Sequence, residues 1–474
     1  MEIPVTEQEV ATDLDAVLQR WQTDFEALYN RFIDNSDSEE FLQEVQNFKE
    51  EFENEHPRTQ PNLDNDLSFN LPISLKEVHN AIFKAKNNKA VGIDELPNEV
   101  FKNPNSVLLW HSFFNACFSA GTTPDLWSKA LIKPIPKGGM LDKRIPLNYR
   151  GISLLPTISK IYSSILNERL LSYLEQNDLI TDTQNGFRKL RSCIDHLFVL
   201  TSVIRNRKVN GMSTYVCFID LSKAFDMINR DCLFMKLANA GIQGNMYWAI
   251  RSLYINHASS VLVNNHQTNW FTNVTGVKQG DNISTTLFAL YLNDLALEIL
   301  NSGKGIQLEE QLNLSILMYA DDIALISENE QNLQDMLNIV YNWCSKWGMV
   351  LNRDKSKIIH FRRKNVERSE FEFSYGNDVL SYCDNYKYLG CTLNEYLDYT
   401  ESANILAKAS GRALGSIITK YKQFKGLDYR TYTKLYNTCV TTIMDYSSAI
   451  WGFKQYDKLD TIHNRAMRAF LGEH

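Results

Sequence analysis

Two short apolar runs, Ser315-Ile316-Leu317-Met318-Tyr319 and Ile323-Ala324-Leu325-Ile326-Ser327, flank Ala320-Asp321-Asp322. Runs of this length, rich in branched residues, predict β strands, and the polar triplet between them predicts a hairpin tip. A third run, Tyr215-Val216-Cys217-Phe218-Ile219, predicts a buried strand that ends at Asp220. Elsewhere the apolar positions follow the helical period. Over residues 7–53 they form one stripe through Val10, Leu14, Val17, Leu18, Trp21, Phe25, Leu28 and Phe32. Ser74 and Glu77 make a capping box that opens a helix running through Ala85. Further helices are predicted over about 284–302, from Leu333 to Trp347, and from about residue 400 onward, where Ala407, Leu414 and Ile418 share a face. Pro57 to Asn62 reads as a linker, and no internal repeat is present.

The carboxylates on these strands change the picture. An unpaired charge is costly to desolvate, so acids at the ends of buried strands call for cations or basic partners. Asp220 lies about a hundred residues before the Asp321-Asp322 pair, so only a fold can unite them. Three such carboxylates suit two Mg²⁺ ions, with Mn²⁺ as a substitute, because these ions take oxygen ligands and share them with substrate phosphates. Two metals about 3.5–4 Å apart can serve both the attacking and the leaving oxygen of a phosphoryl transfer.

With these residues in place the chain resembles the reverse transcriptases of non-LTR (LINE-like) retrotransposons. The Asp220 segment, through Asp226, is similar to the family's motif A, and Tyr319-Ala320-Asp321-Asp322 to its motif C. Gly276-Val277-Lys278-Gln279-Gly280 with the segment through Phe288 resembles motif B. Ala90 to Glu99, Asn148 to Pro156 and Gln184-Asn185-Gly186-Phe187-Arg188 resemble the segment before the fingers and two finger motifs. Tyr388-Leu389-Gly390-Cys391-Thr392-Leu393 resembles the primer-grip strand.

The resemblance implies an α+β, right-hand polymerase fold with a reverse transcriptase domain proper at about 128–393. An acidic helical extension and linker would occupy 1–66 and fingers 67–210. A palm of antiparallel sheet packed on helices, with the primer grip, would span 211–395, and a helical thumb 396–474. It also implies roles. Asp220, Asp321 and Asp322 would hold the metals and catalyse, while Lys355 and Lys357 both fit the lysine general acid. Arg150 and then Lys133 would grip triphosphate, since a guanidinium fork matches phosphate geometry. Phe225, five positions after Asp220, would exclude a ribose 2′-hydroxyl, and Gln279 would touch the incoming nucleotide or the template. Arg188, Gly276, Lys278, Gly280, Tyr388 and Gly390 would contact nucleic acid. The sequence departs from the family's pattern at Ser284-Thr285-Thr286, which lacks a proline, and at the polar Asp281 and Asn282.

Net charge, −7 over 474 residues, argues against a polyanion ligand until its distribution is considered. Residues 1–66 carry −14, which leaves +7 for the remainder. Lys129, Lys133, Lys137, Lys143, Arg144 and Arg150 form one basic cluster, and Arg353, Lys355, Lys357, Arg362, Arg363, Lys364 and Arg368 a second. Such clusters are where phosphate contacts arise. The eight cysteines have no zinc-knuckle spacing and suggest buried thiols. The acidic amino terminus and the lack of a long apolar run predict neither a signal peptide nor a membrane span. The expected protein is soluble and intracellular, and nuclear if it works in target-primed integration, with no endonuclease or cysteine/histidine tail of its own. It would use an RNA template, a DNA primer and deoxynucleoside triphosphates, with no membrane contact and no protein partner to infer. The alternative is an inactive or host-adopted nucleic-acid-binding remnant of such an element; the intact carboxylates favour the enzyme.

Overall fold

The computed structural model describes residues 3–4, 10–11, 13–31, 36–58, 68–138, 141–309 and 312–472. The chain divides into two compact units, each assembled from separated segments: Met1–Asp182, Leu221–Leu297 and Asn342–Val350 in one, Thr183–Asp220, Glu298–Tyr341 and Leu351–His474 in the other.

The first unit is built on a mixed sheet. Lys129–Pro136 runs antiparallel to Tyr149–Leu154 and parallel to Ala258–Val263, and the last also pairs His266–Gln267 and Phe271–Thr272. The amino-terminal stripe forms the helix Leu14–Tyr29 from Leu14 through Leu28, and Ser36–Glu55 follows as a second helix; Val10 lies instead in the short strand Val10–Ala11, and Phe32 outside the described residues. Asp13 caps the first by accepting from the Ala16 amide at 3.3 Å. Val17, Trp21, Phe25, Leu28 and Tyr29 recur on its inner face and close over Ile132, Val261, Val263 and Phe271. The second helix is tied down by Glu53 to Arg251 (2.8 Å) and Lys49 to Asp231 (2.9 Å). The helix Leu14–Tyr29 is therefore part of the core: its aromatic stripe covers a sheet face that would otherwise meet water. From residue 59 on, the expected linker lies outside the described residues. The capping box at Ser74 opens the helix Leu75–Lys84, with the Ser74 amide donating to Glu77 at 2.8 Å.

In the second unit, four antiparallel strands stand in the order Ile316–Tyr319, Asp322–Ser327, Thr214–Asp220, Lys357–Phe361. The central strand is an unbroken apolar run because both its faces are buried. Val216 and Phe218 point into a cluster with Leu197, Leu200 and Ile204 of the helix Cys193–Val209, Leu393 of the hairpin Asn385–Tyr388/Cys391–Asn394, and Ala403 and Leu406 of the helix Thr400–Gln423. The α+β class holds, as do the expected helices, found at Ser284–Asn301, Glu330–Trp347 and Thr400–Gln423.

Phe25 is 1% exposed. Truncating a buried Phe costs about 3–5 kcal/mol, so Phe25→Ala should lower the urea midpoint by a corresponding amount. An unchanged midpoint would mean that the acidic helix is an appendage after all.

Candidate active site

The two central strands end in opposed acids. Tyr319 pairs with Asp322, so the hairpin turn is Ala320-Asp321 and Asp322 already opens the returning strand. That strand pairs with Thr214–Asp220 so that Asp322 faces Asp220 directly. Residues so opposed keep their Cβ atoms about 4.5–5.5 Å apart. Two like charges thus share one sheet end, with Asp321 adjacent. The backbone of Asp220 is fixed from both sides: its amide donates to Ser356 Oγ (3.1 Å), and its carbonyl accepts from the Asn352 amide (2.8 Å). Lys355 Nζ lies 3.3 Å from Asp220 Oδ2 and so brings a basic group to these acids.

Electrostatics follow from this geometry. Asp322 lies at the solvent-exposed sheet end, where partial desolvation, then the charges of Asp321 and Asp220, push its carboxyl up to about 6 against the pull of Lys355. No cluster of three or more His, Cys, Asp or Glu side chains stands ready to grip a metal unaided among the described residues. The donor chemistry nevertheless fits a hard divalent cation. Mg²⁺ is commonly held by one or two carboxylates, with waters and substrate phosphates completing the shell. Desolvation first, and then the charges of Asp321 and Asp220, oppose ionisation of Asp322, and a bound cation would offset that opposition.

The remaining expected residues separate by unit. With the carboxylates in the second unit, Lys357 Nζ is engaged by Ser381 Oγ at 2.9 Å, whereas Lys355 meets Asp220. Tyr388 is buried with its ring 5.0 Å from Phe218, beside Tyr386, which stacks on Phe218 at 4.4 Å. Gly390 follows Leu389 in a two-residue turn in which both have positive φ, and a Cβ on Gly390 would lie 2.6 Å from the Tyr446 ring. Arg188 is buried and donates to the Gln184 carbonyl at 3.0 Å. Of the second basic cluster, Arg353 pairs with Asp378, Arg362 with Glu395, and Arg368 with Asp384 and Glu395, so much of that charge is internally compensated.

The first unit holds the others. Register puts Lys133 opposite Ile152 and Arg150 opposite Ile135, so both cations project from one exposed face of the strand pair. Phe225 is half-buried and stacks on the buried Phe288 at 4.3 Å. Gln279 donates to Asp226 Oδ1 at 2.9 Å. Burial raises the Asp226 carboxyl to about 7, against the charge of Lys223 and the Gln279 hydrogen bond. Lys278, expected at nucleic acid, is buried: Nζ donates to the carbonyls of Leu253 (2.6 Å) and Trp127 (3.3 Å), and desolvation pushes it down to about 8. Gly276 has no room for a Cβ, which would meet the Asp226 carbonyl at 2.8 Å, and Gly280 none because of the Ser153 carbonyl at 2.8 Å. Sequence reasoning missed Ser356, Asp226 and Gln184. It also missed Arg230, which is buried and donates to the Gly276 (2.9 Å) and Thr275 (3.0 Å) carbonyls. Asp226, inside the motif A segment, and Gln184, inside a finger motif, carried a local signal but no assigned role.

A carboxyl raised in the folded state favours folding below its ordinary pKa of about 4, and that advantage is lost as pH rises through about 6. The metal-free chain should therefore lose melting temperature over pH 4–7 relative to Asp322→Asn, with the gap widening through pH 6. Parallel melting curves for the two proteins would refute the assignment of the shift to Asp322.

Residues 135–393, more than half the chain, match the family model described as reverse transcriptase (RNA-dependent DNA polymerase). The chain is 25% identical over 429 residues to the probable RNA-directed DNA polymerase from transposon BS of Drosophila melanogaster, covering 88% of this chain and 47% of that protein. It is 25% identical over 399 residues to the RNA-directed DNA polymerase from mobile element jockey of Drosophila funebris, covering 82% and 43%. The chain thus spans less than half the length of these curated relatives. Among solved structures, the apo telomerase of Candida tropicalis aligns with a TM-score of 0.42 and 12% identity, over 78% of this chain and 67% of that one. With the carboxylate hairpin inside the matched region, the chain belongs to the reverse transcriptase (RNA-dependent DNA polymerase) family.

Proposed function

We propose that this chain is the RNA-directed DNA polymerase of a retrotransposon-like element, adding deoxynucleotides to a primer 3′ hydroxyl on an RNA template. The observation that carries the reading is the pairing of Asp220 with Asp322 at one sheet end, with Asp321 in the adjoining turn and Lys355 on Asp220. Asp220, Asp321 and Asp322 would hold two divalent cations, Mg²⁺ or in substitution Mn²⁺. Bound there, the cations would neutralise charge on the attacking and leaving oxygens of phosphoryl transfer. Lys355 combines proximity to Asp220 with a side chain 65% exposed, which suits it to hand a proton to departing pyrophosphate. Lys357, held by Ser381, is less suited.

Arg150 and Lys133, on a shared exposed face, would bind the triphosphate of the incoming deoxynucleotide. Phe225, backed by the Phe288 ring, is stiffened as an apolar wall against a 2′-hydroxyl. Gln279 would meet the nucleotide from its bond with Asp226. Arg188, Lys278 and Tyr388 are buried and would act on nucleic acid by holding the backbone that touches it, as would the close-packed Gly276, Gly280 and Gly390. The domain reading of fingers, palm and thumb belongs to the same proposal, as does a nuclear site of action. No described helix is long and apolar enough to cross a membrane.

Primer extension on an RNA template with Mg²⁺ tests the reading. Asp321→Asn should lower the rate by more than the roughly 100-fold that outer-shell changes cost at metal sites. A variant that extends as fast as the parent would remove Asp321 from the chemistry.

Phe225→Ala should admit ribonucleotides, read as the ratio of dGTP to GTP incorporation. Unchanged discrimination would leave Phe225 as a packing residue.

A further inference from the structure

The carboxylate turn is built on an unfavourable residue. Ala320 has φ +57°, the left-handed region in which a Cβ is disfavoured and where two-residue turns usually place glycine. Such a conformation persists only when its surroundings over-determine it. Here the surroundings come from a segment more than a hundred residues earlier. Gln184 Oε1 accepts from the Ala320 amide at 2.9 Å, and its Nε2 donates to the Ala320 carbonyl at 3.3 Å. One side chain therefore grips both peptide groups of the strained residue. The same Oε1 accepts from the Gly186 amide at 2.9 Å, which aims the side chain.

The approach is exclusive. A Cβ on residue 186 would lie 2.3 Å from the Ala320 nitrogen, so glycine is required there. Flanking backbone seats the segment on the hairpin strand: the Met318 amide donates to the Thr183 carbonyl at 2.8 Å and the Asn185 amide to the Met318 carbonyl at 2.9 Å. Gln184 is 1% exposed, so water does not compete for these bonds. The amide is also the side chain the position demands. It must accept from two N–H groups and donate to one carbonyl, which an ionised glutamate cannot do. A charge there would further add to the repulsion among Asp220, Asp321 and Asp322.

We propose that Gln184 is a positioning residue for the polymerase site, holding Ala320 left-handed so that Asp321 and Asp322 are preset for cation binding. The inference rests on the polymerase reading for its catalytic meaning and on the turn geometry for the rest. Gln184→Met keeps the length and removes all three hydrogen bonds, freeing the turn to relax. Ala320→Gly adopts the left-handed conformation without being held.

The experiment compares the parent, Gln184→Met and the double variant Gln184→Met/Ala320→Gly in the full chain. Expected for Gln184→Met is a roughly 10–100-fold fall in kcat for primer extension, as for outer-shell losses at metal sites, and a Mg²⁺ half-saturation raised by a similar factor. Template–primer Kd should stay within about twofold, since the Gln184 side chain is buried against the turn. The double variant should recover most of the loss. A second readout, the rise in melting temperature with added Mn²⁺, should shrink in Gln184→Met and return in the double variant. Unchanged kcat and Mg²⁺ dependence in Gln184→Met would overturn the proposal, as would a loss that Ala320→Gly does not relieve. A parent that binds Mn²⁺ but extends no primer would sink the polymerase reading, and the Mn²⁺ melting shifts would still decide for or against Gln184.

Discussion

Everything in the candidate site depends on one stretch of antiparallel pairing, in which Asp322–Ser327 lies against Thr214–Asp220. The side-chain period of a strand is two, so a slip of one residue would turn every side chain to the other face. The register is held by burial on both sides of the central strand, where Val216, Cys217, Phe218 and Ile219 are each at most 1% exposed. Hydrophobic burial thereby sets the spacing of two carboxylates that repel each other. Folding supplies a juxtaposition that the charges alone would not adopt, and the unfavourable term is retained at the sheet end, where solvent and cations have access.

Basic residues divide along similar physical lines. A lysine or arginine in sequence can serve a phosphate, a carboxylate or a buried carbonyl, and nothing local distinguishes these. Lys278 and Arg230 satisfy backbone carbonyls that would otherwise be orphaned inside the first unit. Arg362 and Arg368 converge on Glu395. Arg150, Lys133 and Lys355 remain on exposed faces. The positive balance of residues 67–474 therefore overstates the charge available to a polyanion, because part of it is spent on internal structure.

This division marks what was legible in the chain and what was not. The hairpin, the apolar strand before Asp220, the capping box at Ser74 and the long helices each rest on a local period or a three-residue motif, and each was readable. The helix Leu14–Tyr29 was readable as a helix but not as core, since its partners Ile132, Val261 and Phe271 lie far away in sequence. Gln184 was visible only as part of a motif, expected among the fingers, whereas it bonds to the hairpin turn in the second unit. The side chain that supports a strained backbone leaves no periodic trace. That Lys355 meets Asp220 while Lys357 meets Ser381 was likewise invisible to spacing alone.

The interleaving of the two units has a consequence for how the protein is made. The first unit needs residues from its beginning, its middle and Asn342–Val350, while the second begins at Thr183 and is completed only by the final helices. Neither can close its core while the chain is short, and many of their stabilising contacts join distant segments. Such topologies fold slowly, because loop closure must precede the contacts that reward it. During synthesis the apolar face of Leu14–Tyr29 would wait about a hundred residues for Ile132 and Tyr149, and more than two hundred for Val261 and Phe271, before its cover was complete. A nascent chain of this kind is a natural client for chaperones that bind exposed aromatic helices.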